Sequence, residues 1–210
     1  MTDIRTVLLT TVCSRHQDKV KFIMIIFRKA DPSYFPKILA LQKDNLIQNL
    51  PPHDQQDGFL SIEYSHGQIE RLNNELGIFI AIDSDRLSGY HIAQRMDFAL
   101  QSPLINTMVS RFPNVLYHSL PLSGYRTFIY GPVCIDRRSR GQGVLEGLFN
   151  IILQTLKGQY DIGVAFVSEL NRRSLHAHQD KLGMKVVDEF VFNGQKYWTL
   201  VFSVKIDSDD

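Results

Sequence analysis

The residues whose types and spacing could do chemistry lie in one short segment, Arg138-Ser139-Arg140-Gly141-Gln142-Gly143. The apolar run before it, at residues 127–135, predicts a strand, and the apolar stripe at helical spacing after it, at residues 144–156, predicts a helix. Glycines in such a turn let successive backbone N–H groups converge, and the helix N-terminus adds about half a positive charge. The segment therefore predicts an anion-binding loop, for which a pyrophosphate is the natural ligand.

Two other nucleotide-binding motifs are excluded by the residues that follow the glycines. A P-loop requires Lys and then Ser or Thr after its second glycine, whereas Val144 and Leu145 follow Gly143. A dinucleotide fingerprint requires Gly or Ala three residues further on, where Glu146 would repel a phosphate. The segment also fits a capped strand-to-helix turn that carries two solvated arginines and binds no ligand.

The surrounding pattern predicts the elements that must position this loop. Strands are predicted at residues 21–28, 77–83, 89–94, 127–135, 162–167, 185–192 and 195–204, and helices at 32–50, 68–76, 144–156 and 171–183. Asn193-Gly194 predicts a hairpin between the last two strands. The turn-rich stretches at residues 53–67 and 96–126 predict a surface loop beside a cleft and part of a substrate pocket.

Length and charge bound the class of protein. The chain has 210 residues and a formal charge of +1, which predicts one domain and no nucleic-acid partner. We place that domain at residues 21–206, after a flexible extension at 1–20. The longest apolar stretch, residues 22–27, is far shorter than the roughly 20 residues of a membrane-spanning helix, so no membrane partner is expected.

Cysteine usage gives further expectations about compartment and metals. Cys13 and Cys134 cannot form a disulfide framework, and no Cys/His pairs stand at zinc-ligand spacing. We therefore expect a cytoplasmic protein without a metal site.

The segment also fits a family pattern, Val-x-x-x-x-Arg/Gln-x-x-Gly-x-Gly/Ala, through Val133, Arg138, Gly141 and Gly143. This pattern resembles that of the GNAT superfamily of acetyl-CoA-dependent N-acetyltransferases. The likeness in element order extends from about residue 24 to residue 202. It implies an α/β fold with α+β character: a mixed, mostly antiparallel sheet of about seven strands, with a splayed central parallel pair, flanked by helices.

A second family signature, Asn-x-x-Ser/Ala-x-x-x-Tyr followed by Leu-Gly-Phe, is similar to the stretch that starts at Asn171. Ser174 and His178 stand at its second and third positions, and Leu182-Gly183-Met184 at its end. Offsets of three and seven residues return to nearly the same helical face. Asn171 and Ser174 are therefore expected to meet the cofactor, although Asn171 is equally suited to cap the helix.

The resemblance implies a cosubstrate, acetyl-CoA, and a role for each matching residue. Val133 and Ile135 would bind the pantetheine arm through main-chain groups. The pyrophosphate would lie on the backbone amides of Arg138, Ser139, Arg140, Gly141, Gln142, Gly143 and Val144, with charge added by Arg138 or Arg140.

His178 stands where the family often has a tyrosine that protonates the departing thiolate. An imidazolium can donate a proton near neutral pH, so His178 is a candidate general acid. A histidine among helix leucines is also often a packing residue. The general base stays open among four carboxylates near loops and strand ends: Glu63, Asp83, Asp97 and Glu169.

The implied reaction is transfer of an acetyl group to a primary amine of a small molecule, by direct attack in a ternary complex. Two alternatives stay open: acetylation of a protein or peptide, and a non-catalytic acyl-CoA-binding module. The loop around Phe59 and Tyr64, with residues 96–126, is expected to set the choice of substrate. The sequence also leaves a homodimer open.

Overall fold

A computed structural model describes residues 6–12 and 21–204 of the chain, with side chains from residue 24 onward. Most of the predicted extension at 1–20 and the predicted domain end at 206 lie outside these residues. Residues Thr6–Val12 form a strand, β1, which the sequence analysis did not predict. The boundary of the domain near residue 21 stays a prediction.

The strands form one eight-stranded sheet and one small hairpin. Strand bounds are β1 Thr6–Val12, β2 Lys21–Lys29, β3 Gly77–Asp83, β4 Arg86–Gln94, β5 Leu116–Tyr117, β6 Leu120–Pro121, β7 Thr127–Ile135, β8 Ile162–Ser168, β9 Lys185–Phe192 and β10 Gln195–Ser203. The large sheet has the order β1-β2-β3-β4-β7-β8-β10-β9, while β5 and β6 pair with each other. All neighbours in the large sheet are antiparallel except β7 and β8. The predicted fold class is confirmed, with β1 as an added edge strand.

The helices that flank this sheet are short. Their bounds are α1 Phe35–Asn45, α2 Pro52–Gln55, α3 His66–Glu75, α4 Met96–Ala99, α5 Pro103–Val109, α6 Val144–Leu156 and α7 Arg172–His176. Within the described part of the chain, no helix is long and apolar enough to cross a membrane.

The sheet has a helical layer on each face, because successive side chains of the central strands β3 and β4 point to opposite faces and nearly all of them are buried. Phe79 and Ala81 of β3 pack in the cluster that contains the apolar stripe of α6. Ile78 and Ile80 face the other way and pack with residues of α1 and α3. The two faces therefore hold separate cores, and α6 lies against the one that also contains Leu182 and Met184.

The predicted helix at 32–50 is interrupted. A 3-10 turn at Pro32–Tyr34 precedes α1, and a second 3-10 turn at Ile47–Asn49 follows it. Leu46, which lies between α1 and the second turn, is extended, with ψ 137°. It pairs with Leu60 in an isolated parallel bridge. Tertiary pairing at Leu46 therefore ends a helix that local pattern alone would extend.

The predicted hairpin at the C-terminal end of the sheet is present. Asn193 and Gly194 both have positive φ, 49° and 76°. These values suit a two-residue turn whose twist matches that of the flanking strands. Gln195 pairs with Phe192 directly across the turn.

Candidate functional site

The parallel strands β7 and β8 part soon after they meet. They pair at only three positions, the last of which is Ile129 with Val164. On its other side β7 stays paired with β4 as far as Ile135, opposite Gly89. β8 likewise stays paired with β10 as far as Ser168. Each strand therefore keeps one unpaired edge, and the two edges face each other across a slot.

A bulge lies in β7 where the strands part. His91 of β4 pairs with Val133, and the next pair recorded is Ala93 with Tyr130, so Gly131 and Pro132 interrupt the ladder. The bond between them is a cis peptide. The Gly131 carbonyl accepts a hydrogen bond of 2.6 Å from the Gln94 side chain. Pro132 has no N–H to offer to the slot.

The loop after β7 is folded around the carboxylate of Asp136. This carboxylate accepts a hydrogen bond from the Arg138 backbone N–H at 2.8 Å and caps a short 3-10 turn. Gly141 and Gly143 then have φ of 75° and 77°, the left-handed region that glycine adopts without strain. α6 begins directly after Gly143, so its first N–H groups, which have no partner within the helix, lie at the end of the loop.

Two adjoining cavities lead from this loop into the slot. The larger, of about 360 Å³, lies against the loop and the first turn of α6. The smaller, of about 70 Å³, lies between the parted strands. Six residues line both: Phe59, Leu60, Val133, Asn171, Ser174 and His178. One continuous passage therefore joins the helix N-terminus to the point where the strands part.

Most of the residues selected from the sequence meet in this passage. Nine of the twelve line the larger cavity: Val133, Ile135, Ser139, Arg140, Gly141, Val144, Asn171, Ser174 and His178. Arg138, Gln142 and Gly143 do not line it. The roles assigned to all twelve stay predictions.

The two arginines considered as phosphate ligands lie in different places. Arg138 is turned away from the cavities, and its guanidinium makes a two-point contact with Asp136 at 2.8 and 3.0 Å. Arg140 is half-buried, lines the larger cavity and donates to the Asp57 carbonyl at 2.9 Å. Burial, followed by the neighbouring Arg173, lowers the pKa of Arg140 below its usual value. Of these two cations, Arg140 alone is placed to meet an anion in the cavity.

The Ser139 hydroxyl is a candidate donor to an anion in the larger cavity. Its side chain is fully buried and lines the cavity, yet among the described residues its hydroxyl has no hydrogen-bond partner. A buried hydroxyl without a partner is costly unless a ligand or water satisfies it. Together with the first N–H groups of α6, this donor fits a phosphate group.

Asn171 ties the loop at residues 57–62 to α7. Its side-chain oxygen accepts from the Ser174 N–H, so it caps the helix, and its side-chain nitrogen donates to the Phe59 carbonyl at 3.1 Å. Arg173 pairs with Asp57 of the same loop at 3.1 Å. These contacts hold Phe59 at the wall of both cavities. Tyr64, the other aromatic residue considered for selectivity, is buried outside them.

The helix predicted at residues 171–183 consists of α7 and a π-helical turn, Ala177–Lys181. Such widened turns occur frequently at functional sites. His178 lies in this turn, is 5% exposed and lines both cavities.

The tautomer of His178 follows from its partner. Nδ1 lies 2.7 Å from the Ser174 carbonyl oxygen, which can only accept, so Nδ1 carries the proton and Nε2 has a free lone pair. Burial lowers the pKa of His178 below its usual value, and this hydrogen bond partly opposes the shift. His178 is therefore neutral near pH 7 and can accept a proton before it can donate one.

Two polar residues beside His178 were missed in the sequence analysis. The Tyr130 ring meets the His178 ring edge-on, with centroids 5.8 Å apart, and lies 3.9 Å from the ring of His91. The Tyr130 hydroxyl and both ring nitrogens of His91 are buried without hydrogen-bond partners in the described structure. In the sequence both residues look like ordinary strand residues, so no local signal could single them out.

None of the four carboxylates left open as general bases lines either cavity: Glu63, Asp83, Asp97 and Glu169. The acidic residues that do line the larger cavity are Asp57, Glu146 and Asp180. Glu146 pairs with Lys181 at 3.4 Å. Across the described residues, no group of three or more His, Cys, Asp or Glu side chains could hold a metal ion.

Comparison with known proteins identifies the architecture. No protein-family model matches the sequence, and none of the curated proteins compared with it matches either. Solved structures do match. An N-acetyltransferase from Staphylococcus aureus Mu50 is similar over 86% of this chain and 99% of its own, with a TM-score of 0.59 and 15% identity.

Two further structures extend the likeness. The protein yncA from Salmonella typhimurium, solved with its cofactor acetyl-CoA, matches over 88% of this chain and 96% of its own, with a TM-score of 0.57 and 12% identity. A ribosomal-protein-alanine N-acetyltransferase from Brucella melitensis matches over 84% and 98%, with a TM-score of 0.56 and 13% identity. With its parted parallel strands and glycine loop, this chain has the fold of the GNAT N-acetyltransferases.

Proposed function

We propose that this protein is an N-acetyltransferase that moves the acetyl group of acetyl-CoA to a primary amine of a small molecule. The observation that carries the proposal is the passage that joins the N-terminus of α6 to a slot between two unpaired strand edges. Acetyl-CoA has the matching shape, with a diphosphate at one end and an amide-bearing arm that ends in the thioester. The acetyl-CoA held by yncA, which shares the fold, supports this choice.

The ligand's diphosphate would lie on the first N–H groups of α6, with Ser139 and Arg140 as side-chain donors. Hydrogen bonds to charged groups of this kind contribute about 1.5 to 3 kcal/mol each. The pantetheine amides would pair with the free edge of β7 at Val133 and Ile135, as an added strand would. This arrangement would bring the thioester to the smaller cavity, next to His178.

His178 is suited to move the proton of the reaction in two steps. Its free Nε2 would take a proton from the attacking amine, because Nδ1 is held by the Ser174 carbonyl. The resulting imidazolium would then protonate the departing thiolate, whose reference pKa of about 8.5 lies above that of the imidazolium. The acid role suggested by the resemblance is retained, but His178 would first act as the base.

The smaller cavity favours a small amine over a polypeptide. Its volume of about 70 Å³ matches the liquid volume of roughly two water molecules. Apart from His178, the polar groups on its walls are uncharged near pH 7, among them Ser61, Gln94 and Ser168. A peptide acceptor is the second candidate, because the Brucella neighbour acts on a ribosomal protein according to its name.

Amine-dependent release of free CoA tests the enzymatic proposal. The purified protein would be incubated with acetyl-CoA and panels of small amines and of peptides with free N-termini. Thiol release would be compared with release in the absence of amine. Turnover with small amines supports the proposal, and turnover with peptides alone would favour the second candidate. Tight acetyl-CoA binding without turnover on either panel would instead indicate a non-catalytic acyl-CoA-binding module.

Substitutions at His178 test its role separately from ligand binding. His178→Ala should lower kcat by at least about 100-fold, the lower end of the range for a positioned acid-base group, with acetyl-CoA affinity changed less than threefold. His178→Tyr, which introduces the residue common in the family, should also lower kcat, because a protonated phenol can donate a proton to the thiolate but cannot accept one from the amine. Equal rates for the wild type and His178→Ala would remove His178 from the mechanism.

A further inference from the structure

We propose that the Tyr130 hydroxyl donates a hydrogen bond to the thioester oxygen as negative charge develops on it during acyl transfer. This inference rests on the proposed function and assigns a residue that the family pattern does not contain. It starts from Tyr130, which lines the smaller cavity and whose buried hydroxyl has no hydrogen-bond partner among the described residues.

The position of Tyr130 is set by the parting of the strands. It is the first residue of β7 after the last pair with β8, Ile129 with Val164. It lines the smaller cavity together with Gly131, Pro132 and His178. Its side chain is 2% exposed, and among the residues described here its hydroxyl meets no acceptor or donor. A buried hydroxyl at a cavity wall retains its full capacity to bind a ligand.

The segment of β7 next to Tyr130 offers fewer backbone donors for an oxyanion, which favours a side-chain donor there. Acyl transfer to an amine creates an oxyanion, which enzymes commonly stabilise with backbone N–H groups or polar side chains. The segment of β7 next to Tyr130 contains Pro132, which has no N–H. One of the backbone donors that a different sequence would offer is therefore missing.

The Tyr130 ring is held in place by other rings. Its centroid lies 5.3 Å from that of Phe202 and 5.8 Å from that of Phe149, both nearly edge-on. His91 and His178 contact it from two other directions. A donor fixed in this way needs little reorganisation in the transition state. Burial also raises the pKa of Tyr130 well above its usual value, so the hydroxyl keeps its proton at all working pH values.

The proton balance of the reaction closes without ionising Tyr130. The amine nitrogen forms the new C–N bond, the carbonyl electron pair moves to the oxygen, and Tyr130 hydrogen-bonds that oxygen. The amine proton passes to Nε2 of His178. The carbonyl then re-forms, the C–S bond breaks, and the thiolate takes the proton from His178. The products are the amide and free CoA, and Tyr130 is unchanged.

The experiment compares Tyr130→Phe with Tyr90→Phe. Tyr90 is equally buried and its hydroxyl also lacks a partner within the described residues, but it lines neither cavity. Loss of one oxyanion donor typically lowers kcat by about 100- to 1000-fold, which we expect for Tyr130→Phe with acetyl-CoA affinity changed less than twofold. Tyr90→Phe should keep the wild-type kcat. Phenylalanine preserves both rings, and thermal unfolding would verify that both variants fold.

A second measurement is independent of turnover. In the ¹³C NMR spectrum of [1-¹³C]acetyl-CoA bound to the wild type, the carbonyl signal should lie downfield of its position in free acetyl-CoA. In Tyr130→Phe it should move back towards that position, whereas in Tyr90→Phe it should not move.

Each outcome bears on one of the two proposals. Wild-type turnover with an unchanged kcat in Tyr130→Phe would overturn the role of Tyr130 and leave the enzymatic proposal standing. A wild type that binds acetyl-CoA without turnover would overturn the enzymatic proposal. The carbonyl signal would then decide whether Tyr130 contacts the thioester, and identical bound signals in the wild type and Tyr130→Phe would reject that contact.

Discussion

The two edges of β7 differ in how their hydrogen-bonding groups are used. Towards β4, the strand is paired along its length to Ile135, apart from the bulge. Towards β8, it is paired only as far as Ile129. The paired edge holds the sheet together, whereas the open edge leaves main-chain groups exposed to the slot. Beyond Ile129, β7 therefore has main-chain N–H and C=O groups that do not pair with β8 and can pair with a ligand.

A buried polar group without a partner does not by itself mark the site. Among the described residues, Tyr90 and Thr199 have such hydroxyls and line neither cavity, whereas Ser139 lines the larger cavity and Tyr130 the smaller. The distinction lies in what the open group faces. Groups that face a cavity can be satisfied by a ligand, so changes there should affect binding and turnover. Changes at the others should affect stability alone.

The largest effect is expected at Gly141, where the main chain borders the larger cavity. Gly141→Val should weaken acetyl-CoA binding by more than 100-fold, because the added side chain would stand where the phosphates approach the loop. Calorimetric titration with acetyl-CoA measures this effect, and circular dichroism verifies the fold.

Gly158→Val is the matched control for Gly141→Val. Gly158 has φ of 80°, close to the 75° of Gly141, and a Cβ at either position would meet no atom within 4 Å. Both variants should lose about 1 to 2 kcal/mol of stability from the left-handed backbone. Only Gly141→Val should lose binding. Equal affinities in the two variants would mean that the loop at Gly141 does not hold the phosphates.

A smaller effect is expected from removing a cation, and here the chain offers its own control. Arg140→Ala should weaken acetyl-CoA binding by about 10- to 100-fold, the loss of one charge-assisted bond. Arg138→Ala should change it less than twofold, because Arg138 is bound to Asp136 outside the cavity. The affinities of both variants at one fixed salt concentration make the comparison. The reverse order would place the diphosphate on the other side of the loop.

The pH profile of kcat should show the protonation of His178. Burial lowers its pKa below the usual value of about 6.5, so the neutral base persists below that pH. With a saturating amine that stays neutral, kcat should be constant at higher pH and fall about tenfold per unit once His178 becomes protonated. His178→Ala should be slow and lack this acid limb. A variant that keeps the limb would assign it to another group.

The sequence could predict elements wherever local pattern and tertiary structure agree. β3 and β7 match their predicted ranges, because alternating or continuous apolar runs end there at turn residues. The loop between β7 and α6 was recognisable because its glycines are needed for backbone geometry. The break after α1 was not, since Leu46 is extended by pairing with a distant residue, Leu60.

The site was predictable to the extent that it is built from contiguous residues. Arg138 fits the family pattern, but the nearby carboxylate of Asp136 holds it outside the cavity. Tyr130 and His91 come from strands that are separate in sequence, and only the register of β4 against β7 brings them together. Side-chain pairing and strand register depend on the whole sheet, so local spacing carries no signal for either.

The smallest expected effect concerns His91 of β4, the strand that pairs with β7, and the free energy of unfolding in acid. Burial lowers the pKa of His91 well below its usual value, and the neighbouring His178 adds to the shift. The unfolded chain therefore binds more protons than the folded one below about pH 6.5, so stability falls as the pH falls. Below about pH 6.5, a histidine that stays neutral in the folded chain contributes up to about 1.4 kcal/mol per pH unit to this fall. His91→Phe should reduce this slope, as measured by urea unfolding at several pH values. Tyr90→Phe alters no histidine and should keep the wild-type slope. An unchanged slope in His91→Phe would show that the pKa of His91 is not lowered in the folded chain. The loss of stability in acid would then be assigned to His178.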